Sequence, residues 1–303
     1  MISPKTPSRE ALLDVLTGLL ARVRREEVGI IKSGDAEFLH RYRVSLRKTR
    51  ALLSLLKGVF PDAQTLEWKE KLAAFSRATN ALRDLDVYFL SRQKFEDFLP
   101  KVLQSGLEVF LRDLAKTRRR EASKVSSFLK SAKYGAELSR LETEWHEALT
   151  LEASVASGFP ISGVAGKAIA KCFRRIRKIY SQFHNQSSDA RLHAIRIECK
   201  KMRYLLECFG KLFSDHGVER LTRRLAKLQN HLGRYNDISI QKAHFLEVAK
   251  KHLHNGDARL HLTLGCLIGG LHHEHADLKK KVLDALKDFC SPKNGKLAKN
   301  FWN

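Results

Sequence analysis

Two stretches of this chain repeat one another, and the repeat restricts the fold more than any other property. His40 to Phe60 reads HRYRVSLRKTRALLSLLKGVF and His193 to Phe213 reads HAIRIECKKMRYLLECFGKLF. Both carry H-x-x-R-[VI]-x-x-[RK]-[RK]-x-R and then a Leu-rich run closing on Phe, 153 positions apart (193 − 40). At about 100° per residue, His40, Arg43, Arg47 and Arg50 share one helical face, and Tyr42, Leu46, Leu53, Leu56 and Phe60 lie roughly opposite. The second copy divides likewise, with His193, Arg196, Lys200 and Arg203 against Ile195, Cys199, Leu206, Phe209 and Phe213. Each copy therefore predicts an amphipathic helix with a basic stripe.

Helix stability does not select such a stripe. Like charges at i,i+3 and i,i+4, such as Arg43/Arg47 and Arg196/Lys200, each destabilise a helix by ~0.2–0.5 kcal/mol, so a stripe without acidic partners implies an outside anion. A single basic face is ordinarily just solvated. Here the cation positions recur while their neighbours differ, which favours a ligand. The whole chain agrees: 56 Lys+Arg against 33 Asp+Glu give a net charge of +23, a field that attracts polyanions.

At 303 residues the chain is long enough for two units of about 150 residues, each with its own core. Cys172, Cys199, Cys208, Cys266 and Cys290 form no C-x-x-C pair and are odd in number, the usage expected of reduced thiols in a cytoplasmic protein. The first apolar run, Ala11 to Leu20, is broken by Asp14 and followed by Arg22, Arg24 and Arg25, unlike an export signal. The weakly charged segments Leu260 to Leu271 and Ala153 to Gly166 fall short of the ~20 apolar residues of a membrane span, so no membrane insertion is expected.

The prolines punctuate a helical chain. Pro4 and Pro7 precede a helix from Ser8 to about Ile31, with Leu12, Leu16, Leu19, Val23 and Ile30 on one face. Ser33-Gly34-Asp35 marks a break and a cap before the first basic helix. Pro61 introduces a third helix, about Asp62 to Arg92, and Pro100 a long fourth with Leu103, Leu107, Leu111, Leu114, Val125 and Phe128 in register. A further helix near Ala136 to Leu149 closes the first half. Ser154 to Gly163, SVASGFPISG, is the one small-residue linker of any length, after which the pattern restarts. Leu16, Leu19, Leu20 and Val23 correspond to Ile169, Cys172, Phe173 and Ile176, Arg22 to Arg175, and Arg83-Asp84-Leu85 to Asn236-Asp237-Ile238.

These patterns predict an all-α fold: two helical bundles over residues 1–152 and 164–303, joined by a linker at 153–163, arisen by internal duplication and related by a pseudo-two-fold axis. The tail from Ser291 to Asn303 is expected to be irregular. Each basic helix buries its apolar face in its own bundle and leaves its basic face to point outward or toward the other half.

The paired motifs, with Arg83-Asp84-x-Asp86-Val87 in the first half and Gln229-x-x-Leu232-Gly233-x-x-Asn236-Asp237 in the second, resemble the conserved histidine α-helical domain (CHAD) family over roughly residues 8 to 290. That resemblance implies two bundles about a pseudo-two-fold axis, a basic central groove or pore, and binding of inorganic polyphosphate, with location on polyphosphate granules as a further expectation. It also implies that His40, Arg43, Arg47, Arg50, His193, Arg196, Lys200 and Arg203 line the anion site, joined by Lys48, Lys201, Arg22 and Arg175. Asp84, Asp237, Arg83 and Asn236 are then supporting residues, the aspartates anchoring arginines. Thr79-Asn80 stands where the second half has Leu232-Gly233, so helix packing there is expected to differ between halves. Guanidinium forks suit phosphate oxygens, and lysine acts as a point charge. Histidines amid such charge should have depressed pKa values when the site is empty.

Other chemistries are weaker. His252-x-His254, His261 and His272-His273-x-His275 lack a cysteine at ligand spacing, and no metal or cofactor is expected. The chain has no His-Asp dipeptide, no E-x-E-x-K signature and no Gly-rich phosphate loop, which disfavours an enzyme. A +23 helical protein also binds nucleic acid nonspecifically, yet the stripes carry a single aromatic, Tyr204, on which a base could stack. A granule-associated scaffold is the third reading. If the two stripes share one groove, reversing Arg43 and Arg47 should cost as much binding as reversing Arg196 and Lys200, with Arg118 and Arg120 as a control outside the motif.

Overall fold

The structure, a computed structural model, describes residues 2–32, 35–150, 155–183, 189–213, 216–251 and 258–299. Among them there are helices and no strand beyond a single bridge between Pro7 and Pro160. The first half comprises α1 (Ser8–Lys32), α2 (Ala36–Leu55), α3 (Asp62–Ala78), α4 (Asn80–Leu90), α5 (Arg92–Asp97), α6 (Gln104–Lys130) and α7 (Ala132–Glu147). The second comprises α8 (Ile161–Ser181), α9 (Asp189–Phe209), α10 (His216–Lys251), α11 (Ala258–Phe289) and α12 (Pro292–Lys299). No described helix is long and apolar enough to cross a membrane.

The sequence register carries through to helix starts: α8 begins 153 residues after α1 (161 − 8), and α9 begins 153 after α2 (189 − 36). Asp35 caps α2 as expected, its carboxylate accepting the Glu37 amide at 2.9 Å and so satisfying one of the first-turn donors. Tyr42, Leu46, Leu53, Leu56 and Phe60 are all buried, as are Ile195, Cys199, Leu206 and Phe209, so the apolar faces of α2 and α9 point inward.

Three expectations differ. The third helix of the first half is not continuous: it breaks at Thr79 (φ −112, ψ 3) into α3 and α4, whereas α10 runs unbroken through Leu232 and Gly233. The tail is not irregular over its described part, because α12 packs on α8 and α10. Asn294, fully buried, donates to the Asp288 and Phe289 carbonyls at 2.9 and 3.1 Å and accepts from Arg224 at 2.5 Å. It thus satisfies acceptors that the end of α11 leaves open. The halves also do not keep separate cores. Buried side chains from both form one hydrophobic core, joined where Tyr88, Phe95 and Phe110 surround Phe245 at ring separations of 5.3 to 6.0 Å.

The segment between the halves is pinned. Ala156 donates its amide to the Gly58 carbonyl at 2.9 Å, Ser8 to the Phe159 carbonyl at 2.8 Å and Ile161 to the Thr6 carbonyl at 2.9 Å. Gly58 takes φ +77, a left-handed turn that a Cβ would strain. Helices α6 and α11 approach closely at Gly106, where an added Cβ would lie 2.2 Å from the Thr263 hydroxyl and 2.8 Å from the Arg259 carbonyl.

Candidate anion-binding site

Helices α2 and α9 pack side by side and bring the two basic stripes together. Arg43, Arg47 and Arg50 of α2, with Ser76, Arg77 and Asn80 across from them, line an open cleft of about 190 Å³ that no carboxylate enters. Arg77 is outside the repeated motif. Its only signal in the sequence is that it falls off the face of α3 defined by Trp68, Leu72 and Phe75.

Arg43 is the best-held cation. Its Nη1 donates to the Ser76 carbonyl at 2.8 Å and to the Thr79 hydroxyl at 2.9 Å. The Ser76 carbonyl, at the break, also accepts from the Thr79 amide at 3.3 Å and the Thr79 hydroxyl at 3.0 Å, so Arg43 adds a charged donor to the bonds that close α3. Arg47 and Arg50 are different: their Nε atoms are buried without a hydrogen-bond partner, and the Nε of Arg196 on α9 is the same. Buried polar groups are normally satisfied, and an unpaired one costs about 1–3 kcal/mol. Three such guanidinium donors, on Arg47, Arg50 and Arg196, thus lack a protein acceptor.

Electrostatics show that the two stripes act on each other. Burial, then Arg77 and Arg47, lowers the Arg50 pKa, and burial followed by Arg47 lowers that of Arg43. Burial also lowers Arg196, with Asp237 opposing and Arg47 adding to the effect across the helix pair. Lys200 is pushed down to about 8 by burial, then by Arg196 and Arg47, against a counteracting Asp237. Arg47 is therefore the common neighbour of both stripes. On the α9 side a second cleft of about 280 Å³ is lined by His193, Arg196, Tyr235, Asn236 and Ser239 among others, and His193 Nδ1 lies 3.2 Å from Asn236 Oδ1. His40 is half-buried, and burial followed by Arg83 lowers its pKa, as expected of an empty site.

Other expected site residues are committed elsewhere. The stripes are not free of acids: Glu207 of α9 pairs with Lys48 at 2.9 Å and Arg203 at 2.6 Å, and Arg203 also donates to Gln229. Lys201 and Arg175 meet at Glu198, at 2.6 and 3.7 Å. Glu198 follows Arg196 by two residues and so lies about 200° round α9, away from the cluster. Arg22 is exposed on α1. Arg43 is held by Ser76 and Thr79 rather than by Asp84, which acts on it through charge only while its own carboxyl is raised by burial. Arg83 donates to the Ala36 carbonyl at 3.4 Å. The strong carboxylate anchor is Asp86, 1% exposed, which accepts from Arg118 Nε at 2.7 Å.

Among the described residues no three His, Cys, Asp or Glu side chains are arranged to hold a metal. His275 is stacked on Tyr235 at 3.9 Å and bonded to Ser239 at 2.9 Å. His272 sits against Lys242, and His261 against the Ala249 carbonyl. His252 and His254 lie outside the described residues.

A lowered Lys200 predicts that any anion bound beside it is held in a pH-dependent way. A bound anion favours the ammonium and raises its pKa above the empty-site value of about 8, so the complex holds more protons than the free protein at higher pH. Affinity for a polyanion should be full below pH 8 and fall as pH rises above it. Calorimetry in two buffers of different ionisation heat should show proton uptake on binding at pH 8.5, and Lys200→Arg should abolish it.

The fold and its sequence have recognisable kin. The crystal structure of the CHAD domain from the plant Ricinus communis superposes with a TM-score of 0.74 at 23% identity, covering 95% of this chain and 93% of that one. PptA from Streptomyces chartreusis gives a TM-score of 0.68 at 16% identity, covering 92% of this chain and 99% of that one. At such identities the likeness establishes the fold. Comparison with curated proteins gives no match. The CHAD domain family model, however, matches residues 14–247, a span that holds both basic helices and the clefts beside them, and the chain belongs to that family.

Proposed function

We propose that this protein binds inorganic polyphosphate, without turning it over, along the cation cluster where α2 and α9 meet. The observation that carries this reading is the trio of buried, unpartnered Nε donors on Arg47, Arg50 and Arg196 in a cluster with Lys200 and Arg77. A thin anionic chain offers an oxygen to each of them at short intervals, and guanidinium groups bind such oxygens in bidentate fashion. Lys48 and Arg203, which share the single carboxylate of Glu207, form the rim. The same cluster would serve to hold the protein on a polyphosphate granule.

Nucleic acid fits less well. A single-strand site stacks bases on exposed aromatic rings, but Tyr204, the one aromatic of the stripes, is 8% exposed and no aromatic lines the arginine cleft. A duplex is too broad for a cleft of about 190 Å³. In binding titrations at physiological salt, long polyphosphate should outbind duplex DNA of equal charge concentration by well over tenfold. Its log–log salt slope should have a magnitude of about 3 or more, from at least four contacts at ~0.7 each. Equal affinity for DNA would favour the nucleic-acid reading. With Mg²⁺ or Mn²⁺ present, the same mixtures should release no phosphate above a protein-free control.

A further inference from the structure

A second cation-lined cleft, about 320 Å³, lies where the end of α2 meets α8 and the segment between the halves. Lys57, Lys167, Lys171 and Arg175 surround it, and no carboxylate is among its lining residues. Its floor is unlike that of the arginine cleft. There Ala73 is the one hydrocarbon side chain, whereas here Leu56, Val164 and Phe159 are among several. Phe159 is 54% exposed, and Val155 on the same segment is 87% exposed. An inorganic anion gains nothing from that apolar floor.

We infer that this cleft binds an alkyl anion: an acidic headgroup held by the lysines, with its hydrocarbon chain on Leu56, Val164 and Phe159. The lysine stems can lie along the chain while their ammonium groups stay in water at the headgroup. Burial of each methylene adds about 0.8 kcal/mol when complete, so chain length sets affinity. Arg175, whose place in the repeat assigns it to the polyphosphate stripe, belongs here instead; its pairing with Glu198 at 3.7 Å is long enough to yield to a headgroup. The two clefts thus sort anions by whether they carry a hydrocarbon chain. The headgroup could be that of a free alkyl phosphate or of an anionic phospholipid at a membrane surface, which offer the same chemistry.

The full chain is titrated, in the absence of polyphosphate, with inorganic phosphate and with butyl, hexyl and octyl phosphate kept monomeric. Octyl phosphate should bind at least a hundredfold more tightly than inorganic phosphate, with about threefold or more gained per two carbons. Lys167→Glu/Lys171→Glu should weaken it at least tenfold, and the exposed-site variant Phe159→Ser should flatten the chain-length dependence. Arg119→Glu/Arg120→Glu, equal in charge change and exposed on α6, should alter it less than threefold. In a second arm, vesicles of phosphatidylcholine with or without phosphatidylglycerol are sedimented with the protein. Retention that needs phosphatidylglycerol and is lost in Phe159→Ser identifies a phospholipid source, while monomer binding without retention identifies a free alkyl anion. Octyl phosphate binding no tighter than inorganic phosphate, or equal loss in the two charge-reversed doubles, overturns the inference. The arginine cleft, with Ala73 as its one hydrocarbon side chain, can take the phosphate group but gives no dependence on chain length, so that dependence and its loss in Phe159→Ser report on this cleft separately from the function proposed for the other.

Discussion

Reversing Arg47 and Arg50 together to Glu is expected to weaken polyphosphate binding by more than a hundredfold. Both carry buried Nε donors without partners, and a hydrogen bond to a charged group contributes about 1.5–3 kcal/mol. Losing two such bonds and adding two repulsive charges should cost at least ~3 kcal/mol, where each ~1.4 kcal/mol is a factor of ten. Arg196→Glu/Lys200→Glu should cost a similar amount, because Arg47 acts on both residues across the α2–α9 pair. Arg43 is a poor choice for this test, since its guanidinium also holds the break at Thr79. Helical circular dichroism checks folding. If one pair abolishes binding and the other leaves it intact, the site belongs to a single stripe.

Arg118→Ala should be the most damaging of the single substitutions considered, although Arg118 lies outside the repeated motif. It pairs at 2.7 Å with Asp86, which is 1% exposed, and its guanidinium also sits 5.7 Å from the Phe89 ring. Removing one partner of a buried pair typically costs about 3–5 kcal/mol, because the other charge is left uncompensated. The loss should appear as a lowered urea midpoint, and it has a pH signature. Burial already raises the folded-state pKa of Asp86 against the opposing Arg118, and loss of Arg118 raises it further. A carboxyl with a raised folded pKa favours folding below its unfolded value and loses that contribution as pH rises through the folded value. The variant's deficit should therefore shrink on going from pH 8 towards pH 4. An unchanged midpoint at pH 8 would show that Asp86 is stabilised by other means. This role makes Arg118 unsuitable as a neutral control, and the exposed pair Arg119 and Arg120 takes its place.

Helix starts, the Asp35 cap and the inward faces of α2 and α9 were legible in the sequence because they rest on spacing along one helix. Which cations remain available to a ligand was not. Lys48 and Arg203 differ from Arg47 and Arg50 only through Glu207, whose counterpart in the first copy is Ser54, and their pairing depends on α2 meeting α9. Arg77 joins the cluster through the packing of α3 on α2. Arg175 left it because Glu198 lies on the far side of α9. Periodicity assigns a residue to a face of its own helix; it does not state what the neighbouring helix brings to that face.

The interruption at Thr79 gives the two sides of the site unequal mechanics. An unbroken α10 of 36 residues is a rod about 54 Å long at ~1.5 Å per residue, with Asn236 in its second half. On the other side, α3 ends beside the arginine cleft and α4 starts at Asn80, with the Arg43 guanidinium bonded to Ser76 and Thr79 at the joint. The α9 side of the site thus rests on one continuous helix, and the α2 side on two that meet at a residue Arg43 holds.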